Sequence, residues 1–328
     1  EKQAENFRKM LVAMAQDIRV ILIKLADRTH NMRTLEHMSE EKQARIAQET
    51  LDIYAPIANR LGISWVKTEL EDLSFRYTRP KDFFELEARI NRKKKDREKY
   101  IDDVVALITG KLKESGITAQ VTGRFKHMYS IHKKMRSQGI DFDQVPDVIA
   151  FRVITHDVGQ CYGALGLMHQ QWKPVPGRFK DFIAIPKANM YQSLHTTVIG
   201  PLSERIEIQI RTEEMHRVAE EGIAAHWKYK EGEQASKDDE TFAWLRQLLE
   251  DVQDPKEFLT SLKLDLYPEE VYCFTPKGAV RTLPRGATPI DFAYAIHTEV
   301  GRRCVGARVG GRIVPLRTKL KNGDIVEI

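Results

Sequence analysis

Residues 205–211, with the sequence RIEIQIR, alternate strictly between polar side chains and isoleucines. Because successive side chains of a strand point to opposite faces of a sheet, this pattern predicts a strand with one apolar and one polar face. The polar face carries four residues: Arg205, Glu207, Gln209 and Arg211. The solvated face of an edge strand is the ordinary interpretation of such a row, and a functional surface is the alternative. The neighbouring segments decide between the two.

Further periodic segments surround this strand. Three more strands are predicted: Val148–Thr155, Leu194–Ile199 and the alternating stretch 117–122. Three helices are predicted: His127–Ser137, Gly159–Trp172 and Glu213–Tyr229. Strands interleaved with helices predict an α/β domain over about residues 116–230.

The segments on either side predict two other units. Residues 1–115 are mostly helical, and four segments carry the periodicity: Asp17–Met38, Glu40–Leu61 with a break near Pro56, Glu69–Tyr77 and Lys81–Glu114. The polar stretch 231–240 predicts a linker, and 241–262 a further helix. From about residue 269, two strands, a helix at Pro289–His297 and two or three short strands predict a small α+β module. The fold class expected is therefore multidomain.

Composition limits the class of protein. The chain has 328 residues, a formal net charge of +5 and 42% hydrophobic residues, which predicts two or three folded domains rather than a disordered chain. No apolar run approaches the roughly 18 residues of a membrane span, and no signal peptide is recognisable. Three scattered cysteines form neither a disulfide framework nor a CxxC metal site, so a cytoplasmic location is expected. The helical periodicity of residues 1–16, without a clear cap, suggests a fragment of a longer protein.

Two acidic residues mark a candidate metal site. Asp147 opens one predicted strand, and Glu207 lies in the middle of another. Mg²⁺ in proteins is commonly held by one or two carboxylates together with substrate phosphates. If the two strands are neighbours, Asp147 and Glu207 are candidates for sharing such an ion.

Two cationic segments suit phosphate groups. Residues 124–138 hold five Lys and Arg and no acid, at the predicted start of a helix, where backbone N–H groups also favour anions. The loop 177–195 carries Lys180, Lys187, Asn189 and His195, together with Tyr191, which offers a flat face for a nucleobase. A basic surface helix and an ordinary polar loop are the alternatives.

The motifs in this region resemble a known family. RFKHMYSIHKKM, DVIAFRVI, GRFKDFIAIPKANMYQSLHTTV and IEIQIRTEEMHRVAEEGIAAHWKYK are similar, in this order, to the synthetase domain of RelA/SpoT homologues. KLADRTHNMRTL resembles the late helix of the HD hydrolase domain of the family. VYCFTPKGAVRTLPRGATPIDFAYAIHTEVG resembles its TGS domain, a ubiquitin-like β-grasp module. The resemblance implies four segments: the C-terminal part of an HD domain (1–62), a nucleotidyltransferase-like synthetase domain with a mixed sheet (63–230), a linker and helix (231–268) and a TGS domain (269–328).

The resemblance also implies an activity, a GTP/GDP pyrophosphokinase that transfers pyrophosphate from ATP to the 3′-hydroxyl of GDP or GTP. Asp147 and Glu207 would be the catalytic, Mg²⁺-linked acids. The ATP side would comprise five residues: Arg124, Lys126, His127, Ser130 and Lys134. The GDP/GTP side would comprise six: Lys180, Lys187, Asn189, Tyr191, His195 and Gln209. Cations, paired acids and an aromatic platform suit phosphoryl-type transfer, which depends mainly on positioning and electrostatic stabilisation.

The flanking segments carry further expectations. The RFKD motif at 178–181 matches the form typical of bifunctional members, which implies a parent protein with a Mn²⁺-dependent hydrolase as well. Asp27 lies on a helical stripe with Val20 and Ile23 and is expected to be a remnant HD metal ligand, inactive in this chain. His297 of the TGS segment is expected to contact uncharged tRNA on the ribosome in the full-length protein. His156 and Asp157 follow a strand, which favours a turn over a metal pair.

Two other functions stay open. One is (p)ppGpp hydrolysis, which the shortage of HD ligands disfavours for this chain. The other is a non-catalytic module that binds RNA or the ribosome, which the basic charge and the TGS segment favour. An intact pair of acids favours catalysis.

Overall fold

The computed structural model describes residues 17–92, 94–145, 148–187, 189–222 and 270–328, together with Glu5, Lys9, Val12 and Ala224. The chain divides into two compact units, Glu1–Leu259 and Thr260–Ile328. The predicted linker and helix over 231–268 lie outside the described residues, as do most of residues 1–16 and the second half of the helix predicted at Glu213–Tyr229.

The first unit begins with α1 (Ile18–Arg33), a short 3₁₀ turn (Leu35–His37) and α2 (Glu40–Glu49). Asp17 caps α1 through its side chain, which accepts a hydrogen bond from the backbone N–H of Arg19 at 2.9 Å. The buried face of α1 carries Ile21, Leu25 and Met32. The stripe of Asp27, Val20 and Ile23 predicted from the sequence is a different face of the helix: Asp27 is exposed, and 67% of Ile23 is accessible.

The break expected near Pro56 takes the form of a wider helical turn. Residues Thr50–Tyr54 form a π-helix that continues into α3 (Ala55–Arg60), and the N–H of Ala55 bonds to the carbonyl of Thr50, five residues earlier. Proline has no N–H to donate, and its ring crowds the carbonyl four residues before it. The wider turn accommodates Pro56 without ending the helix.

Three longer helices follow, α4 (Ser64–Thr78), α5 (Pro80–Arg92) and α6 (Lys94–Glu114). The segment predicted at Lys81–Glu114 is helical on both sides of residue 93, which lies outside the described residues. Helices α4 and α5 pack with α7 (Met128–Gln138) around a core of aromatic and aliphatic side chains: Phe75, Phe83, Leu86, Ile131, Phe142, Val145 and Val148.

A mixed sheet forms the centre of the first unit. Its described strands are β1 (Ala119–Phe125), β2 (Ile149–Thr155), β3 (Lys180–Asp181), β4 (Leu194–Ile199) and β5 (Arg205–Thr212). Their order is β1-β2-β5-β4-β3, in which β2 and β5 run parallel and the other neighbours antiparallel. The mixed sheet expected from the resemblance is confirmed. Strand β1 extends three residues beyond the alternating stretch 117–122.

One face of this sheet is covered by α6 and by α8 (Val158–Gln171). The side chains between them form one apolar core, which includes Val104, Ile108, Phe151, Met168 and the three isoleucines of β5, each at most 1% exposed. The other face carries the polar side chains and meets α9 (Glu213–Glu221), which follows β5 directly.

The second unit is the small α+β module that the sequence predicts. Strands β6 (Glu270–Phe274) and β7 (Val280–Pro284) form a hairpin, followed by α10 (Pro289–Ile296) and α11 (Thr298–Arg302). Strands β8 (Ala307–Val309), β9 (Arg312–Val314) and β10 (Val326–Glu327) complete it, and its core contains Cys273, Leu283, Phe292 and Val326. Among the described residues of the two units, no helix has the length and hydrophobicity to cross a membrane.

Candidate active site

The strand register aligns the polar side chains in rows on one face of the sheet. Arg152 pairs with Gln209, Gln209 with His195, and His195 with Lys180, so one row crosses β2, β5, β4 and β3. In the next row, Arg124 of β1 pairs with Ala150, which pairs with Glu207. We call this surface the polar face; its charged and polar members are Arg124, Arg152, Lys180, His195, Glu207, Gln209 and Arg211. The functional interpretation of the RIEIQIR strand is therefore favoured, since β5 is central in the sheet rather than at an edge.

Glu207 is the acid at the centre of the polar face. Its carboxylate accepts hydrogen bonds from Lys126 Nζ at 2.5 Å and from Gln209 Nε2 at 2.9 Å, and His195 Nδ1 lies 3.4 Å away. Burial raises the pKa of Glu207, but the hydrogen bond from His195 and the charge of Lys126 outweigh it and hold the pKa below its usual range. Glu207 is therefore ionised at neutral pH.

Tyr191 and His195 extend this network. Burial lowers the pKa of His195, so its ring is neutral at pH 7. The hydroxyl of Tyr191 lies 2.7 Å from His195 Nε2. When Nε2 accepts this hydrogen bond, Nδ1 carries the ring proton on the side that faces Glu207, a tautomer assigned from the hydrogen-bond network. Tyr191, His195 and Glu207 thus form a connected chain of polar groups.

The loop before β4 surrounds Tyr191 with aromatic and cationic side chains. The rings of Phe182 and His195 approach Tyr191 edge-on, with centroids 6.1 and 5.6 Å away. Lys187 Nζ lies 5.1 Å from the centroid of Tyr191, a cation–π distance. Asn189 bonds to backbone instead, since its Nδ2 donates to the carbonyl of Asn59 at 3.0 Å.

The basic segment at the start of α7 has an acidic partner on another helix, which the sequence did not indicate. Asp72 of α4 accepts a hydrogen bond from the backbone N–H of Tyr129 at 2.9 Å, and its other oxygen lies 3.5 Å from His127 Nδ1. His127 Nε2 lies 2.8 Å from a guanidinium nitrogen of Arg124. A carboxylate thus meets the helix N-terminus where the sequence suggested phosphate. Ser130 and Lys134 lie one helical turn apart on α7 and share its face.

Two of the predicted site residues lie on other elements, and a third has no described position. Asp147 lies outside the described residues; β2 begins two residues after it, and Ala150 pairs with Glu207, so its closeness to Glu207 stays a prediction. Asp27 lies on α1, and within the described part of the chain no group of three or more His, Cys, Asp and Glu residues suits a metal ion. His297 lies in the second unit, where it is exposed and its Nδ1 accepts a hydrogen bond from the N–H of Glu299 at 3.2 Å.

Sequence reasoning assigned no role to Arg152 or Glu220. Arg152 belongs to the polar face, and Glu220 of α9 contacts it and Arg211. The alternation in Val148–Thr155 places Arg152 opposite the apolar face of β2, which was the available signal. The sequence around Glu220 gives no such signal, because a single acidic residue in a charged helix is ordinary.

Comparison with known proteins identifies the regions of the chain. A family model described as the region found in RelA/SpoT proteins matches residues 123–234, an HD domain model matches 1–64, and a TGS domain model matches 271–328. The GTP pyrophosphokinase of Myxococcus xanthus is 74% identical over 332 residues, which cover 100% of this chain and 44% of that protein. The bifunctional (p)ppGpp synthase/hydrolase RelA of Mycobacterium tuberculosis is 50% identical over 337 residues, covering 99% and 46%. The chain thus spans less than half the length of these curated relatives.

A weaker likeness exists to a solved structure, the small alarmone synthetase 1 of Bacillus subtilis bound to its product pppGpp. It has 22% identity and a TM-score of 0.34, over 48% of this chain and 94% of that one, which is too distant to support an argument. The domain matches and close relatives define a multidomain protein with HD, RelA/SpoT and TGS regions in succession. The chain belongs to the RelA/SpoT family.

Proposed function

We propose that this chain is a Mg²⁺-dependent GTP/GDP pyrophosphokinase, which transfers pyrophosphate from ATP to the 3′-hydroxyl of GDP or GTP. The observation that carries the proposal is the polar face, which holds one ionised carboxylate, Glu207. The cations around it come from β1, β2, β3, β5 and the turn after β1. Such a surface suits two polyphosphates that must be held side by side despite their mutual repulsion. The name of the Myxococcus relative, which is 74% identical, agrees with this activity.

The reaction requires attack of the 3′-hydroxyl oxygen on the β-phosphorus of ATP. A new P–O bond forms to the acceptor, the bond from the β-phosphorus to the α,β-bridging oxygen breaks, and AMP leaves. The hydroxyl proton must be taken up by a base, and Glu207, the ionised carboxylate of the polar face, would accept it. Cations beside the phosphates stabilise the charge that develops on the transferred group.

The residues fit a divalent ion as well. Glu207 is ionised, and its oxygens are held by exchangeable hydrogen bonds from Lys126 and Gln209 rather than by a second acid. One or two carboxylates with substrate phosphates suffice for Mg²⁺, so Glu207, with Asp147, would hold it. When bound, the ion neutralises charge on the phosphate oxygens. Lys126 would then be free to contact the donor phosphates.

The two nucleotides would occupy opposite sides of Glu207. The donor side holds Arg124, Lys126, His127, Ser130 and Lys134. The acceptor side holds Lys180, Lys187, Asn189, Tyr191, His195 and Gln209, with guanine stacked on Tyr191. The contact from Asn189 to Asn59 supports a role for Asn189 in fixing the loop that carries Tyr191.

Nucleotide analysis after mixing the chain with ATP, GDP and Mg²⁺ tests the proposal. We expect ppGpp and AMP in equal amounts, and none with 3′-deoxy-GDP, which lacks the attacking hydroxyl. ATP hydrolysis without ppGpp, or product formation from 3′-deoxy-GDP, would contradict the proposed transfer. Release of GDP and pyrophosphate from ppGpp with Mn²⁺, abolished by Asp27→Ala, would reveal a hydrolase in this chain, which we do not expect.

The second candidate function is recognition of RNA. Residues 269–328 carry ten Lys and Arg against six Asp and Glu, and the TGS match covers 271–328. We propose that the full-length protein uses this segment to contact uncharged tRNA on the ribosome. The cap hydrogen bond holds His297 Nδ1 as an acceptor, which leaves the Nε2–H on its exposed ring as a donor. His297→Glu in the full-length protein should abolish stimulation by uncharged tRNA while ribosome-free synthesis stays near the wild-type rate; normal stimulation would contradict this role.

A further inference from the structure

Glu220, near the end of α9, contacts two arginines of the polar face. One of its oxygens, Oε1, lies 3.1 Å from a guanidinium nitrogen of Arg152 and 3.3 Å from one of Arg211. The arginines stand on neighbouring strands, β2 and β5. The side chain of Arg211 is only 2% exposed and that of Arg152 18%. One carboxylate therefore serves two guanidinium groups, which leaves an excess of positive charge in a poorly solvated place.

The same cluster contains polar atoms without a hydrogen-bond partner. Among the described residues, the Nε atoms of Arg152 and Arg211 and the Nδ1 of His216 are buried and unpaired. Buried polar groups are nearly always hydrogen-bonded in native proteins, so each exception requires an explanation. Burial, with the nearby charge of Arg211, lowers the pKa of Arg152 to about 10, in agreement with an under-solvated guanidinium. The cluster therefore has unused capacity for a polar or anionic ligand.

The two arginines lie beside different halves of the site. The guanidinium carbon of Arg211 lies 5.9 Å from the ring centroid of Tyr191, on the side assigned to the acceptor. Arg152 lies between Thr122 and Gln209 in its row, beside the strand that carries Arg124, on the side assigned to the donor. Glu220 is thus a single group that connects the two sides.

The backbone of α9 is fixed at both ends, so Glu220 is held in place. At the start, the hydroxyl of Thr212 caps the helix by accepting from the N–H of Met215 at 3.2 Å. At the end, Gly222 has a φ of 57°, and a Cβ there would overlap the carbonyl oxygen of Leu61. Only glycine permits this close approach of α9 to the turn between α3 and α4.

We propose that Glu220 is a positioning residue that holds Arg152 toward the donor nucleotide and Arg211 toward the acceptor nucleotide. The inference rests on the proposed pyrophosphate transfer, because it takes the two sides of the polar face as the two substrate sites. The ligands of Arg152 and Arg211 would be nucleoside polyphosphates, whose oxygens would accept hydrogen bonds from the unpaired guanidinium N–H groups. Without the carboxylate, two buried like charges would repel each other and leave these positions.

Glu220→Gln tests the inference, since it removes the charge and keeps the size of the side chain. We expect the KM for ATP and the KM for GDP both to rise about tenfold, the scale of a lost hydrogen bond to a charged group, with a smaller change in kcat. Arg152→Lys should raise the KM for ATP alone, and Arg211→Lys the KM for GDP alone. Glu214→Gln is the matched control, because Glu214 lies on the same helix and pairs at 2.6 Å with Arg217, away from the polar face; its KM values should match those of the wild type.

The outcomes separate this inference from the proposed function. A wild-type chain that makes no ppGpp would contradict the function, and calorimetric titration with GDP and a non-hydrolysable ATP analogue would still test Glu220. Unchanged KM values in Glu220→Gln, or a rise for one nucleotide only, would overturn the inference, and so would a loss of thermal stability without a change in either KM. If Glu220→Gln fails to fold, Glu220→Asp keeps the charge on a shorter side chain. Both KM values should then rise about threefold, on the same scale, and wild-type values in Glu220→Asp would also refute the role.

Discussion

The eight residues of β5 alternate between two faces of the sheet, and the two faces are stabilised in different ways. The isoleucines at 206, 208 and 210 are at most 1% exposed and pack into one apolar core with α6 and α8. The polar residues between them obtain their partners from separate elements: Glu207 from β1–α7 and β4, and Arg211 from α9. An apolar face needs side chains of suitable size, whereas a polar face needs particular partners at particular distances. Substitutions on the two faces should therefore have different effects on activity and stability.

The largest effect is expected at Glu207. Glu207→Gln keeps the shape of the side chain and removes the charge that balances Lys126 and accepts the proton. We expect turnover of the folded fraction to fall at least about a thousandfold, in the range of losing one preorganised electrostatic group. Asp147→Asn should behave in the same way. A Glu207→Gln enzyme that kept more than about a tenth of its rate would refute the role given to this carboxylate.

The opposite face should show the reverse pattern. Ile208→Ala removes three carbons from a side chain with no exposed surface, so the free energy of unfolding should fall by about 2–5 kcal/mol. Turnover of the folded fraction should stay within about twofold of wild type, since the side chain of Ile208 packs in the apolar core on the opposite face of β5 from Glu207 and Gln209. Urea denaturation measures the loss. Ile23→Ala, at a position 67% exposed, is the matched control and should change stability by less than about 0.5 kcal/mol.

Substitutions of Tyr191 test whether its ring or its hydroxyl contributes to binding of the acceptor nucleotide. Stacking of a base on an aromatic ring contributes about 1–3 kcal/mol by alanine substitution. Tyr191→Ala should therefore weaken GDP binding about tenfold or more, and Tyr191→Phe much less, although Phe loses the hydrogen bond to His195. Calorimetric titration with GDP measures both. Equal losses in the two variants would assign the contribution to the hydroxyl and its link to His195 and Glu207.

The contrast between the faces also explains what could be predicted from sequence. Strand β4 agrees with its predicted bounds, and β5 differs by one residue, because the period of two is local information. The stripe of Asp27, Val20 and Ile23 is not the buried face of α1, because residues three and four apart fit more than one face of a helix, and packing against other helices decides which is buried. The role of Asp27 as a remnant metal ligand stays a prediction. Asp72 and Glu220 were missed for a related reason: each is an ordinary acid on a helix until the fold places it beside His127 or the two arginines.

The smallest expected effect concerns a histidine that is buried in an apolar core rather than placed on the polar face. His132, unlike His195, lies in the apolar core of α4, α5 and α7, with its ring 4.4 Å from that of Phe75 and its Nε2 3.8 Å from Asp82. Burial lowers the pKa of His132, more than the nearby carboxylate of Asp82 raises it, and Arg79 and Arg136 add to the lowering. Below its usual pKa near 6.5, the unfolded chain therefore binds more protons than the folded one, and stability falls as the pH drops from about 7 toward 5. For one proton the slope is at most about 1.4 kcal/mol per pH unit. His132→Phe should reduce this slope in urea titrations at several pH values, and an unchanged slope would show that His132 does not titrate differently in the folded and unfolded states.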